Sequence, residues 1–308
     1  MIVEKYWVVT LKNSIFKGLR PAKDPFDDTV FYIGDGWGST YPSMKFRKLY
    51  IANGVEMANF PIKNSSRCFY TNITGVFVAS DKKIYQLDRK DLSIQKTFEK
   101  NVPRYTDYIN SNDIDCLLLM NHSGDFIYNY NYNTEKLAKK KIKSCTGIIK
   151  SNGNNFLIFS KYEGIYNYNL ANNNVKKLLG MEPYYKCILN KHGELFVHCG
   201  KIIEKTYNTY EYIKPLSKIK VYKSIMDNIY DEIDVKIDFT DLIVSEEEGA
   251  LYLINKNIIY IYSIDDKKII DKYTFNEEIL TIFIKEKIIF TYEFDKAKPN
   301  ILMSWKYK

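Results

Sequence analysis

Residues 82–98 read KKIYQLDRKDLSIQKTF, residues 124–140 read GDFIYNYNYNTEKLAKK, and residues 164–180 read GIYNYNLANNNVKKLLG. Each begins with an aromatic-rich run, breaks at a cluster of Asp, Asn and Lys, and resumes as a second run. In Ile127-Tyr128-Asn129-Tyr130 and Ile165-Tyr166-Asn167-Tyr168, successive side chains must point to opposite faces of a sheet, because a strand alternates at every residue. The polar clusters supply turn chemistry, since Asn and Asp bond their own main chain and tolerate left-handed backbone. Each segment therefore reads as a β-hairpin. NIIYIYSIDDKKIIDKYTF at 257–275 and KIIFTYEFDKAKPN at 287–300 repeat the design, and GKIIEKTYNTYEY at 200–212 is a weaker copy.

With Tyr85, Tyr128, Tyr166, Ile203, Tyr260 and Phe290 as anchors, the steps are 43, 38, 37, 57 and 30 residues, averaging about 41. A period of about 40 to 50 residues, built from strands rather than helices, is that of a four-stranded propeller blade. Short apolar runs precede the hairpins, at 75–79, 116–120, 155–159, 195–197 and 250–254, and suit strands buried between blades. Residues 28–33 and 45–51 add a divergent first pair. The expectation is an all-β chain forming a single β-propeller domain over 1–308, with seven four-stranded blades and six or eight as alternatives. YWVVTL near Trp7 is expected to join ILMSWKY at the other end of the chain, closing the ring with mixed termini. The 57-residue step is attributed to an insertion at 221–249, whose acidic residues run from Asp231 to Glu248; it reads as a solvated loop or strand edge, alternatively as a calcium site or docking face, and could instead hide an eighth blade. A pair of β-sandwiches would need a long linker, and none is evident.

At 308 residues, 45% apolar and 15% aromatic, the chain can bury a large core and is not disordered. Its formal charge of +8 favours solubility first and an acidic partner second. Cys68, Cys116, Cys145, Cys187 and Cys199 form no CxxC pair, which argues against structural zinc and a disulfide framework. The N-terminus reads as a strand rather than a signal peptide, and no stretch approaches the roughly 18 apolar residues of a membrane span. The expected location is cytoplasmic.

The hairpin pattern over roughly 28–300 resembles the divergent WD40-like and quinoprotein-like β-propeller superfamily. Neither a repeated Gly-His near blade starts nor Trp-Asp at strand ends occurs. The resemblance implies a rigid scaffold whose loops bind proteins, peptides or small ligands.

Candidate chemistry is sparse. The loop Gly34-Asp35-Gly36-Trp37-Gly38 permits positive φ or close approach of another backbone, but matches neither nucleotide-binding glycine motif. Trp37, Tyr41, Lys45, Arg47 and Lys48 combine ring surfaces with cations, and Arg104 and Tyr105 offer the same pairing. We take Trp37, Tyr41, Lys45, Arg47, Arg104 and Tyr105 as the candidate binding residues. His122, His192 and His198 are too few for a histidine-rich metal centre, and there is no GxSxG elbow, so no catalytic residue, metal or cofactor is assigned. Lysines at 136–143 and 214–223 sit beside turns and read as solvated edge residues. The function expected is a non-catalytic scaffold recognising a protein or peptide. The alternatives are a propeller enzyme or small-molecule-binding protein with its site at the central channel mouth, and nucleic-acid binding through the lysine-rich loops.

Overall fold

The computed structural model describes residues 3–11, 15, 19–35, 44–62, 68–180, 183–204, 211–224, 229–293 and 300–307. After β1 (Val3–Leu11), strands β2 (Ala22–Asp24), β3 (Asp27–Asp35), β4 (Met44–Tyr50) and β5 (Glu56–Ile62) form a first sheet in sequential order. The second sheet holds β6 (Cys68–Asn72), β7 (Gly75–Ala79), β8 (Ile84–Leu87) and β9 (Ile94–Phe98). The third holds β10 (Thr106–Ser111), β11 (Cys116–Asn121), β12 (Phe126–Asn131) and β13 (Lys136–Lys141). The fourth holds β14 (Cys145–Asn152), β15 (Asn155–Ser160), β16 (Gly164–Asn169) and β17 (Asn174–Leu179). The fifth holds β18 (Tyr184–Leu189), β19 (Leu195–Glu204), β20 (Glu211–Ser224) and β21 (Ile229–Asp234), and the sixth β22 (Asp241–Ser245), β23 (Ala250–Asn255), β24 (Ile258–Ser263) and β25 (Lys268–Thr274). In the seventh, β26 (Glu278–Phe283), β27 (Ile288–Glu293) and β28 (Asn300–Tyr307) are completed by β1. These are the seven four-stranded antiparallel blades of an all-β propeller, as the repeat period predicts.

By internal contacts the chain divides into two units. Residues 1–140 and 277–308 carry the first, second, third and seventh sheets, and residues 141–276 carry the other three.

Within the first unit, β7 shows why the second strand of a blade reads as an unbroken apolar run. All five of its residues are buried. Val76 and Val78 pack with Tyr32 and Phe46 of the first sheet, whereas Phe77 and Ala79 pack with Leu117 and Tyr130 of the third. Period-two alternation is intact, but both faces meet a neighbouring sheet, so neither phase is polar. In the second unit the same division places Leu157 and Phe159 of the fourth sheet against Leu195 and Val197 of the fifth.

The ends of the chain meet in the seventh sheet. β1 runs antiparallel to β28 from Val3↔Tyr307 to Leu11↔Asn300, with a bulge between Lys5 and Trp7. Trp7 lies against Phe31 and Phe290 at centroid distances of 5.9 and 5.7 Å, and its indole Nε1 donates to the Ile51 carbonyl at 2.8 Å. Gly54 comes close enough to that indole that a Cβ would sit 2.6 Å from it, and its φ of +68° is itself suited to glycine.

The irregular spacing of the sequence anchors has a plain cause. Tyr85, Tyr128, Tyr166 and Tyr260 occupy third strands, but Ile203 lies on β19 and Phe290 on β27, both second strands. The additional residues of the fifth sheet lie in its β19–β20 hairpin, whose strands are 10 and 14 residues long. Segment 221–249 contains the end of β20, then β21, then β22.

Replacing Trp7 by Ala should lower unfolding stability by about 3–5 kcal/mol, the usual cost of deleting a buried aromatic. Gly54→Ala should also destabilise, because the methyl group and Trp7 compete for one space. Urea denaturation of both variants checks this, and a Trp7→Ala midpoint equal to wild type would refute the role given to the joined termini.

Candidate interaction face

In a four-stranded antiparallel blade, the connection to the next blade and the connection between the second and third strands fall at the same end of the sheet. The connection from β9 to β10, carrying Arg104 and Tyr105, is of the first kind. β3 ends and β4 begins, at Asp35 and Met44, at the same end of the first sheet, and residues 36–43 fall between them in sequence. Trp37 and Tyr41 belong to this stretch and lie outside the described residues.

Tyr105 is the best-defined of the six candidates. Its backbone is left-handed at φ 54°, its N–H donates to the Asp81 carbonyl at 3.0 Å, and its own carbonyl accepts from His122 N at 2.9 Å. A non-glycine residue in this conformation costs on the order of 1 kcal/mol and persists only where its surroundings hold it. Thr106, next in sequence, is buried and bonded to the Pro103 carbonyl, and the Cys68 thiol donates to the Thr106 carbonyl. On this fixed backbone the Tyr105 side chain is 46% exposed, with Arg104 exposed beside it. His122 Nδ1 lies 2.7 Å from Asp107 Oδ2, which orients a largely exposed imidazole next to Tyr105.

The cations near Trp37 do not share one surface. Lys45 is half-buried on β4. Arg47 is buried and bonded at 2.7 Å to Glu56, which begins β5 at the far end of the sheet from residues 36–43. Lys48 is buried and donates to the Arg89 carbonyl. Lys45, Arg104 and Tyr105 thus retain accessible surface, while Arg47 serves the interior of its sheet.

The other basic stretches also resolve. Lys136, Lys139, Lys140 and Lys141 are exposed on the edge strand β13, and Lys139 lies over the Phe126 ring. In the fifth sheet, register pairs Lys218 with Asp234 and Lys220 with Glu232, so the basic 214–223 and the acidic 229–234 are cross-strand partners. Lys218 reaches Glu232 at 2.6 Å, which raises its pKa, and Lys220 is buried beneath Tyr230.

Histidines 192 and 198 go separate ways. His192 lies 3.5 Å from Glu246, whose carboxylate also accepts from Lys191 N. His198 is fully buried on β19, stacked on Phe239 at 3.8 Å, with Nε2 donating to the Leu216 carbonyl. Loss of solvent lowers its pKa to about 4, and nearby Lys186 acts in the same direction. Burial raises the Cys116 thiol to about 11 and pushes the Cys187 thiol well above its ordinary value, so both are protonated at neutral pH. Among the described residues no group of three or more His, Cys, Asp or Glu side chains is arranged to hold a metal ion, and no helix is long and apolar enough to cross a membrane. Within the second unit, Asn155, Asn167, Leu157, Leu178 and Lys223 line an open groove of about 360 Å³ between the fourth and fifth sheets.

Taken with this geometry, the fold is that of a WD40-like seven-bladed β-propeller. The WD40 domain of Neurospora crassa Pan2 superimposes with a TM-score of 0.70 over 98% of this chain and 94% of that one, at 9% sequence identity. No family model and no curated protein sequence matches the chain.

His198 dictates a pH dependence. Its folded pKa of about 4 lies below the unfolded value of 6.5, so across that interval the unfolded chain binds the extra proton. Stability should fall as pH drops from about 6.5 towards 4, by on the order of 3 kcal/mol from this residue. His198→Phe should be less stable than wild type at pH 7, having lost the bond to Leu216, yet lose less on acidification. Denaturation at pH 7 and 4.5 compares the two, and equal acid losses would refute the assignment.

Proposed function

We propose that the protein is a non-catalytic recognition scaffold that binds a protein or peptide through the blade-end loops of its first unit. The WD40-like fold suits such a role, but fold alone carries little functional information. The observation that supports the reading is Tyr105: an exposed aromatic on a backbone held left-handed by Asp81 and His122. Tyr and Arg are enriched among residues that dominate binding energy, and a side chain whose backbone is already ordered loses less entropy when it is immobilised. Arg104 adds a cation capable of bidentate pairing with a carboxylate, and His122 a second oriented polar group. Trp37 and Tyr41 are assigned to the same surface as further aromatic anchors, with Lys45 at its margin. Arg47 is left out, because its guanidinium is committed to Glu56.

The test has two stages. Cross-linking from position 122 identifies a partner, and calorimetry then measures its affinity for purified variants. Tyr105→Ala and Trp37→Ala should each weaken binding by about 30-fold or more, the effect of a residue worth roughly 2 kcal/mol or above. Circular dichroism should remain β-rich. Exposed Lys90, in the β8–β9 turn at the opposite sheet end, is the control, and Lys90→Ala should bind as wild type. Wild-type affinity in Tyr105→Ala, Arg104→Ala and Trp37→Ala alike would overturn the proposal.

A further inference from the structure

We propose that Asn152, at the turn between β14 and β15, is a self-modifying site that converts to α-linked aspartate and β-linked isoaspartate in the folded protein. The second Asn-Gly pair, Asn53-Gly54, is protected by the fold. The chain contains these two Asn-Gly sequences. The reaction needs only water. The Gly153 nitrogen loses its proton to solvent and bonds to Asn152 Cγ, the Cγ–Nδ2 bond breaks, and ammonia leaves. Water then opens the resulting succinimide at either carbonyl, giving the two aspartyl linkages.

The two sites differ where this chemistry is sensitive. Asn152 pairs with Asn155 across a two-residue turn, Gly153-Asn154, with Gly153 at φ +47°. Among the described residues, Gly153 N donates to no backbone carbonyl of the turn or its neighbours. Asn152 and Gly153 are both exposed, and nothing packs against the Gly153 α-carbon within 4 Å of an added Cβ, so the turn can move without displacing a neighbour. At Asn53 the attacking nitrogen is occupied, because Gly54 N donates to the Tyr50 carbonyl at 2.9 Å. Both carboxamide oxygens accept one bond, Asn53 Oδ1 from Val55 N and Asn152 Oδ1 from Asn155 Nδ2, each at 3.0 Å, so the difference lies at the glycine: Gly54 is buried against the Trp7 ring. Ring closure there must break the turn and shift Trp7.

Conversion at Asn152 has a local consequence. Its Oδ1 accepts from Asn155 Nδ2 at 3.0 Å, and Asn155 Oδ1 accepts from Asn169 Nδ2 at 2.9 Å, so three carboxamides run in series across the fourth sheet. Asn152 also lines the groove that Lys223 enters. The product places a carboxylate at that rim beside a lysine, and the β-linked form adds a backbone methylene that breaks the Asn152↔Asn155 register.

Incubating the intact protein in warm, mildly alkaline buffer made with ¹⁸O-water, followed by peptide mapping, reads the reaction at each site. In denaturant, Asn53 and Asn152 should convert at comparable rates. In the folded protein Asn152 should stay within about three-fold of that rate, while Asn53, which reacts only from a locally opened state, should slow at least about ten-fold. One ¹⁸O should enter the new carboxyl group, and Asn152→Gln should show no conversion at 152 under the same conditions. Folding that slows Asn152 as much as Asn53, or native Asn53 reacting as fast as Asn152, would overturn the proposal.

Discussion

The apolar run at the second strand of a blade has no solvent face. β7 divides its five residues between two neighbouring sheets, and the apolar runs in β11, β15 and β23 are likewise buried. Polar groups are therefore displaced to strand ends and to the outer strands, and this displacement explains the richness in tyrosine. Tyr32, Tyr168 and Tyr184 bury their rings, yet their hydroxyls reach Asp24 at 2.7 Å, Asn173 at 2.7 Å and the Gly180 carbonyl at 3.2 Å. Phenylalanine would fill the same volume and forfeit the bond at the edge. Where a tyrosine hydroxyl instead stays buried without a partner, as at Tyr130, the cost must be met by packing with Phe98 and its neighbours.

The same displacement makes the turns into fixed parts of the blade. Third strands close on Asp88, Asn131, Asn169 and Ser263, and each side chain accepts from main-chain N–H groups of the turn that follows. Those turns pass through a left-handed residue, Leu92, Glu135, Asn173 or Lys267, and none of the four is glycine. Beside them a backbone bond ties the residue after the third strand to the turn between the first and second strands: Tyr132 to Asp115, Leu170 to Asn154, Ile264 to Gly249. The repeated unit is thus a backbone path with an acceptor at one corner, which Asp, Asn and Ser supply equally. A fold specified in this way tolerates near-complete replacement of side chains, which accounts for a match over almost the whole chain at 9% identity.

What was legible in the sequence follows from the same physics. Strand type and blade count were readable because alternation and turn residues are local. Strand order was less so: second and third strands are both apolar, and Ile202-Ile203 on β19 looks like Ile84-Tyr85 on β8. The long β19–β20 hairpin then made an acidic segment look inserted, although β21 is the cross-strand complement of the lysines on β20. Proximity in sequence groups the cations after Trp37, yet alternation in Met44–Tyr50 sends Arg47 and Lys48 to opposite faces, both covered. Asp107 and His122 were not paired in advance, being 15 residues apart. The available signal was positional, since one begins β10 and the other follows its partner strand β11.

Tyr105 has a structural counterpart that separates scaffold from surface. Ser144, the residue before β14, is also left-handed, at φ 51°, and its carbonyl accepts from Lys161 N at 2.9 Å just as that of Tyr105 accepts from His122 N. The first strand of each of these blades is therefore entered through the same corner. Its geometry belongs to the blade and is indifferent to the side chain, which is why a serine occupies it in one sheet and a tyrosine in another. The corner does not itself call for an aromatic, since serine holds the same backbone geometry in the fourth sheet. Under the proposed scaffold reading, the Tyr105 ring would meet a partner from a backbone already fixed by bonds the blade needs for itself.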